Sequence, residues 1–153
     1  MMSSLELKDL VWVGVIAVGH AFQLGHAATE VAVLRRKYKI NPPTMDGPPD
    51  FLRAVRAQQN CLEFSVPFEI VLWTSAAFCH QAPTAMLGMV YLYARQRYIK
   101  GYIEAAEKRV PPFWLSIRAL QGLSVLSITG LINVVLREYA GVNLVAMARE
   151  RIF

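Results

Sequence analysis

Two clusters of polar side chains with helical spacing stand out in an otherwise apolar sequence. One cluster is separated by three, four and three residues and consists of Arg53, Arg56, Asn60 and Glu63. The other is separated by three, four and seven residues and consists of Arg95, Tyr98, Tyr102 and Arg109. Side chains at these intervals lie on one face of an α-helix. If the two helices run in opposite directions, their polar faces meet at one depth and form a pocket.

This pocket would offer guanidinium groups, an amide, a carboxylate and two phenols. Guanidinium groups bind carboxylates through paired hydrogen bonds, and the carboxylate of Glu63 suits an ammonium group. The combination favours a small zwitterion with excess negative charge. A cation at the pocket edge would also lower the pKa of a thiol on the ligand, because positive charge stabilises the thiolate. Such a thiolate would be the nucleophile, and the protein would need none of its own.

The basic side chains also have a simpler explanation, since cations beside a membrane bind lipid headgroups. The residues open to that explanation are Arg95, Arg97, Lys100, Lys108 and Arg109. For the paired clusters we favour a ligand pocket, because Asn60 and Glu63 are expected at membrane depth, where polar groups are costly.

Apolar segments of membrane-spanning length must position these residues. Of the 153 residues, 55% are hydrophobic and 18% charged, a more apolar balance than that of ordinary soluble domains. A helix of about 20 apolar residues crosses a bilayer. We predict an all-α integral membrane fold, a single domain over 1–153 whose four transmembrane helices span about 10–34, 51–80, 83–108 and 112–138. A soluble bundle is disfavoured, because its helices would carry charged outer faces.

The basic residues indicate the topology. Twelve Lys and Arg residues lie on the two long connections, whereas four lie on the side of the termini: Lys8, Arg137, Arg149 and Arg151. The positive-inside rule then places the connections in the cytosol and both termini on the opposite side. The net charge of +5 is therefore a juxtamembrane feature, and we expect no nucleic-acid partner.

The cysteines, histidines and small residues do not form a recognisable reactive centre. Cys61 and Cys79 lie on one predicted helix about 27 Å apart, so they cannot form a disulfide. His20 and His26 lie on different helix faces, and no metal site is expected. Small residues recur at every fourth position of the first span, at Ala17, Ala21, Gly25 and Thr29. This spacing predicts close packing against another helix.

Two longer segments resemble the signature of the membrane-associated eicosanoid and glutathione metabolism family. They are Arg-Ala-Gln-Gln-Asn-Cys-Leu-Glu at 56–63 and Gly-Met-Val-Tyr-Leu-Tyr-Ala-Arg-Gln-Arg-Tyr-Ile-Lys-Gly-Tyr at 88–102. The likeness runs from Arg35 to about Leu136. It implies a homotrimer in the endoplasmic reticulum and nuclear envelope, with active sites that lie between neighbouring protomers and face the cytosol.

The resemblance also implies an activity and a set of site residues. The activity is that of a glutathione transferase, which conjugates glutathione to lipophilic epoxides such as leukotriene A type lipids and can reduce lipid hydroperoxides. Glutathione is the implied co-substrate, and no metal is implied. Arg109 matches the arginine that stabilises the thiolate, and Arg36 matches a second arginine near the reacting centre. The residues that match the glutathione-binding set of one protomer are Arg56, Asn60, Glu63, Arg95, Tyr98 and Tyr102. Arg35 and Gln58 match contributions from the neighbouring protomer.

Three positions depart from the pattern of the resembled transferases. Phe64 replaces a tyrosine and removes one hydroxyl contact to glutathione. Leu52 replaces a glutamate and loosens the cytoplasmic mouth of the site. Gln121 replaces a tryptophan of the leukotriene-forming members, which favours a broader transferase.

Two other functions remain compatible with the sequence. A non-catalytic scaffold that presents lipids is the main alternative, although Arg109 favours catalysis. A small channel or transporter would need charged or broken helices at mid-membrane. Glu69 and Pro67 are the features that point to it, and we expect Glu69 to be paired across a helix or a trimer interface.

Overall fold

A computed structural model describes residues 7–142 and contains four long helices in that part of the chain. They are α1 at Val11–Tyr38, α2 at Pro49–Phe78, α3 at Gln81–Glu104 and α4 at Val110–Ala140. Short 3-10 helices at Leu7–Leu10 and Ala106–Arg109 precede α1 and α4. The predicted all-α fold with four helices is confirmed. Arg149 and Arg151, which entered the topology prediction, lie outside the described residues.

The helices expose apolar side chains to their surroundings. Three of them are long and apolar enough to cross a membrane: α1, α2 and α4 together with its preceding 3-10 segment. In their most apolar stretches only 22% to 28% of the residues are buried inside the protein. Large side chains such as Phe22, Ile70 and Ile128 therefore face outward, which suits lipid rather than water. The fourth helix, α3, is 24 residues long, about 36 Å, and packs against all three others.

The core runs along the bundle as three clusters of buried side chains. The cluster at one end includes Phe68, Leu72 and Tyr91, and a middle cluster includes Cys61 and Tyr98. A third cluster around Phe51 lies near the loop between α1 and α2. The polar pocket predicted from Tyr98 is therefore built directly on the core.

Gly88 permits the close approach of three helices at the first cluster. A Cβ atom at this position would lie 2.8 Å from Cγ2 of Ile16 on α1 and 3.2 Å from Cδ1 of Leu72 on α2. Such distances are below van der Waals contact, so a larger residue would force the helices apart.

Glu69 is paired across a helix, as predicted. Its Oε1 lies 2.7 Å from Nδ1 of His20 on α1, and its Oε2 accepts a 3.0 Å hydrogen bond from the indole of Trp73. The His20 ring is 3% exposed and packs edge-on against Phe68. Because both carboxylate oxygens have partners, Glu69 gives no support to a channel. Pro67 lies within α2, which continues past it.

The third helix ends earlier than the predicted segment 83–108. It stops at Glu104, Ala105 is extended with φ −154° and ψ 145°, and a 3-10 turn follows. Arg109 therefore does not lie on the same helix face as Arg95, and that part of the prediction is wrong. Arg53 stabilises the break, since its Nε and Nη2 donate to the Ile103 carbonyl oxygen at 3.0 and 2.9 Å.

Asp50 lies in the first turn of α2, which begins at Pro49. Its carboxylate accepts a 2.7 Å hydrogen bond from the Tyr38 hydroxyl. Asp50 thus joins α1 to α2 across the proline-rich loop.

The small-residue face of α1 divides into two parts. Ala17, at its start, packs against the first core cluster, whereas the rest of the face makes no close helix contact within the described chain. Ala21, Gly25 and Thr29 are exposed, and a Cβ atom at Gly25 would meet nothing within 4 Å. This part of the face points away from the other three helices. Among the described residues, nothing packs closely against it at Gly25.

Candidate functional site

A cavity of about 300 Å³ lies between α2, α3 and the start of α4, and it brings half of the predicted site residues together. The members of the predicted set that line it are Arg56, Asn60, Tyr98, Tyr102 and Arg109. The polar faces of α2 and α3 that the spacing predicts therefore meet at this cavity. Arg109 reaches it from the 3-10 turn.

Arg95 and Glu63 hold the Asn60 amide from opposite sides. Nη2 of Arg95 donates to Oδ1 of Asn60 at 3.0 Å, and Nδ2 of Asn60 donates to Oε2 of Glu63 at 3.3 Å. These two bonds orient the Asn60 amide, with its oxygen toward Arg95 and its nitrogen toward Glu63. Arg95 and Glu63 do not line the cavity themselves, but each contacts Asn60, which does.

The Arg95 guanidinium is enclosed by aromatic rings. The residue is 1% exposed, and its central carbon lies 4.6 Å from the ring centroid of Tyr98 and 5.3 Å from that of Phe64. Burial of a charge is costly unless hydrogen bonds and favourable ring contacts compensate. Nη1 has no hydrogen-bond partner within residues 7–142. The buried charge thus adds positive potential behind the cavity wall.

Arg109 reaches the cavity because the chain reverses direction after α3. The extended Ala105 and the 3-10 turn place Arg109 next to α3. The Arg109 guanidinium lies 4.4 Å from the ring centroid of Tyr102. In the described part of the chain, no carboxylate pairs with Arg109. Its charge is therefore available to an anionic group in the cavity.

The cavity offers donors for an anion but no cysteine. Cys61 is 3% exposed within the core, Cys79 lies at the far end of α2, and both are free thiols. The two cysteines are separated along one helix as predicted, since Cys61 lies within α2 and Cys79 directly follows it. Among the described residues there is also no cluster of His, Cys, Asp and Glu that would hold a metal ion. A nucleophile in this cavity would accordingly belong to the ligand.

The remaining predicted residues lie outside the cavity of their own chain. Arg35 is engaged elsewhere, since its Nη1 donates to the Thr44 carbonyl oxygen at 2.7 Å and its guanidinium lies over the ring of Phe51. Arg36 is exposed and Gln58 is half-buried. Within residues 7–142, neither of these two side chains makes a hydrogen bond.

Three cavity residues were missed by the sequence analysis: Val110, Phe113 and Trp114. The Phe113 ring packs at 6.1 Å from the Tyr98 ring and at 6.0 Å from the Phe64 ring. The sequence does contain a signal for two of them, because Phe113 and Trp114 are adjacent aromatic residues one turn after Arg109. The sequence analysis assigned both to the apolar fourth span.

The three departures from the family pattern have different surroundings. Phe64 packs between Phe113 and the Arg95 guanidinium, so it retains the ring contacts of an aromatic residue without a hydroxyl. Leu52 is 41% exposed, and Gln121 is exposed. Neither Leu52 nor Gln121 lines the cavity.

Comparison with known proteins identifies the family of the chain. Residues 13–129 match the model of the MAPEG family. The chain is 42% identical to bovine microsomal glutathione S-transferase 2 over 135 residues, which cover 88% of this chain and 92% of the relative. It is 40% identical to the human protein of that name over 136 residues, 89% and 92% of the two chains. Bovine leukotriene C4 synthase is 42% identical over 103 residues, 67% of this chain and 69% of the relative. With its long apolar helices, the protein is an integral membrane protein, and it belongs to the MAPEG family that its motifs resemble.

Proposed function

We propose that the protein is a membrane-bound glutathione transferase that conjugates glutathione to lipophilic electrophiles. The observation that carries the proposal is Arg109, whose guanidinium pairs with no carboxylate of the described residues and lies at a cavity with Asn60 and two phenols. Because neither cysteine lies at this cavity, a thiol carried by the ligand supplies the nucleophile. Relatives named microsomal glutathione S-transferase 2 support this assignment at 40–42% identity.

Glutathione carries two carboxylates, one ammonium group and a thiol, and the polar residues match these groups. Arg56 offers a guanidinium at the cavity wall for a carboxylate, and the Asn60 amide is held ready by Arg95. Glu63 supplies the acidic group for the ammonium. In this proposal Arg35 and Gln58 reach the ligand from a neighbouring protomer.

Arg109 holds glutathione as the thiolate. The sulfur attacks the electrophilic carbon of an epoxide, a C–S bond forms, and the C–O bond breaks. The released alkoxide takes up a proton, which gives a thioether alcohol. Arg36 of a neighbouring protomer lies near this oxygen and stabilises its charge. A lipid hydroperoxide is instead reduced to an alcohol and water by two glutathione molecules, which become the disulfide.

A homotrimer completes the site in this proposal. Its support is the exposed small-residue face of α1 around Gly25, which permits close helix packing between molecules. The lipophilic substrate approaches from the bilayer along Phe113 and Trp114, and Trp114 is 56% exposed. The sites face the cytosol from the endoplasmic reticulum or nuclear envelope, and the termini lie on the opposite side.

Replacement of Arg109 tests the proposal. We expect Arg109→Ala to lower the rate of conjugation with a lipophilic epoxide by about 10²–10³-fold, the usual cost of a lost charge-stabilising donor. Arg137→Ala on α4 is the matched control, because Arg137 pairs with its neighbour Glu138 near the end of the helix and does not line the cavity. Conjugation by Arg109→Ala at the wild-type rate would refute the assigned role. If the wild-type protein binds lipid but shows no turnover, it is a lipid-presenting scaffold.

A further inference from the structure

A second cavity, of about 530 Å³, lies on the outer side of α3 and α4. We call it the α3–α4 groove, and its defining residues are Tyr93, Arg97, Lys100, Lys108, Pro112 and Leu115. Tyr98 and Tyr102 line the first cavity and lie on the opposite face of α3. The groove is therefore a separate site that shares one helix with the candidate active site.

The groove is cationic at one end and apolar at the other. Arg97 and Lys100 lie one and two turns beyond Tyr93 along α3, so the cations lie nearer the basic end of the bundle. Tyr93 is 62% exposed and Leu115 is 38% exposed. An aromatic ring at this depth is typical of the membrane interface.

Two of the cations have no partner of their own in the part of the chain that the structure describes. Lys108 forms an ion pair with Glu104, which also lines the groove. Arg97 and Lys100 make no ion pair or side-chain hydrogen bond with any residue between 7 and 142. The groove therefore presents two uncompensated positive charges above an apolar wall.

The backbone keeps the groove in shape. A Cβ atom at Gly101 would lie 2.9 Å from the carbonyl oxygen of Lys108, so the glycine allows the 3-10 turn to lie directly on α3. Pro111 and Pro112 then begin α4 with fixed φ angles. The wall that carries Lys108 is thereby held against the wall that carries Arg97 and Lys100.

We propose that the α3–α4 groove binds one anionic phospholipid of the cytosolic leaflet. The phosphate lies between Arg97 and Lys100, and an acyl chain runs along Tyr93 and Leu115. Charge complementarity favours this occupant over a second copy of the chain, because the chain itself carries a net charge of +5. The apolar wall favours a lipid over a soluble anion. The proposal does not depend on glutathione chemistry.

Native mass spectrometry of the full-length protein in detergent tests this assignment, with dioleoylphosphatidylserine and dioleoylphosphatidylcholine as the lipids. We expect the wild type to retain phosphatidylserine preferentially. The double variant Arg97→Gln with Lys100→Gln loses about 10- to 30-fold in affinity, since each cation near the membrane surface contributes about 1 kcal/mol. The exchange Arg97→Lys with Lys100→Arg keeps the preference.

The control variant Lys39→Gln with Arg118→Gln removes the same charge from the predicted basic side, outside the groove. We expect its lipid affinity to stay within about 2-fold of wild type, because neither residue lines the groove.

Equal losses in both double variants would overturn the proposal in favour of diffuse surface charge. Full competition by glycerophosphoserine, which lacks acyl chains, would identify a soluble-anion site. No preference in the wild type would mean that another protomer or nothing fills the groove. Helical circular dichroism and elution volume establish that each variant is folded.

Discussion

The bundle holds two polar networks among its apolar helices, and they are built differently. The pair of His20 and Glu69 is closed, because the histidine and Trp73 occupy both carboxylate oxygens. The network of Arg95, Asn60 and Glu63 is open, because Asn60 reaches a cavity wall and Nη1 of Arg95 has no partner among the described residues.

The difference between the two networks distinguishes polar groups that stabilise the fold from polar groups that bind a ligand. Polar groups inside a membrane protein are costly and demand an explanation. A closed network needs no ligand, since its polar groups are hydrogen-bonded to one another. An open network that ends at a cavity leaves donors for a ligand. Arg109, which pairs with no carboxylate in the described part of the chain, lies at the same cavity. We therefore assign stability to the first network and ligand binding to the second.

The strongest test of this contrast is Asn60→Ala, which disconnects the open network. The substitution removes the hydrogen bonds to both Arg95 and Glu63. Hydrogen bonds to charged groups are worth about 1.5–3 kcal/mol, so we expect glutathione affinity to fall about 10- to 100-fold. Isothermal titration of glutathione into detergent-purified protein measures the change. Gln121→Ala is the control, because this exposed amide lies outside the cavity. Equal affinities of Asn60→Ala and wild type would remove the network from the site.

A smaller effect, on stability, is expected from His20→Ala in the closed network. The substitution leaves one Glu69 oxygen without its partner and opens a space beside Phe68. We expect the free energy of unfolding to fall by about 1–3 kcal/mol, with glutathione affinity unchanged. Thermal unfolding in detergent measures the first quantity. His26→Ala serves as the control on the same helix, since His26 is only half-buried and lies 3.5 Å from Glu30. A loss of glutathione affinity in His20→Ala, at unchanged stability, would reverse the assignment.

The smallest effect is expected from Phe64→Tyr, which sharpens the description of the open network. The ring already packs against Phe113, which lines the cavity, and against the Arg95 guanidinium, so we expect an added hydroxyl to lie beside the site. One hydrogen bond is worth about 0.5–1.5 kcal/mol, and we expect glutathione to bind about 2- to 10-fold more tightly. Weaker binding would mean that the hydroxyl cannot reach the ligand. The conjugation assay at varied glutathione concentration measures this effect as a change in KM.

The sequence predicts much of this arrangement because helical spacing is a local property. Intervals of four residues correctly place Arg56 with Asn60 and Tyr98 with Tyr102 at one cavity. The end of α3 was not predictable in the same way. Residues 104–108, Glu-Ala-Ala-Glu-Lys, are good helix formers, so local preference favours a continuous helix. Tertiary contacts break it, through Arg53 at the Ile103 carbonyl oxygen and the Gly101–Lys108 approach.

Spacing also cannot identify a partner molecule. The period of Gly25 and its neighbours predicts a close contact, but the pattern is the same whether the partner lies within the chain or outside it. The same limit applies to Arg35, Arg36 and Gln58, which one chain does not bring to its own cavity. Their proposed roles depend on the geometry between protomers.

The ultraviolet difference spectrum on addition of glutathione tests the central claim most directly. Detergent-purified wild type and Arg109→Ala are compared at a pH where free glutathione is a thiol. The account predicts a thiolate absorption band in the wild type and none in Arg109→Ala. A band of equal size in both proteins, or in neither at saturating glutathione, would contradict the claim that Arg109 holds glutathione as its thiolate.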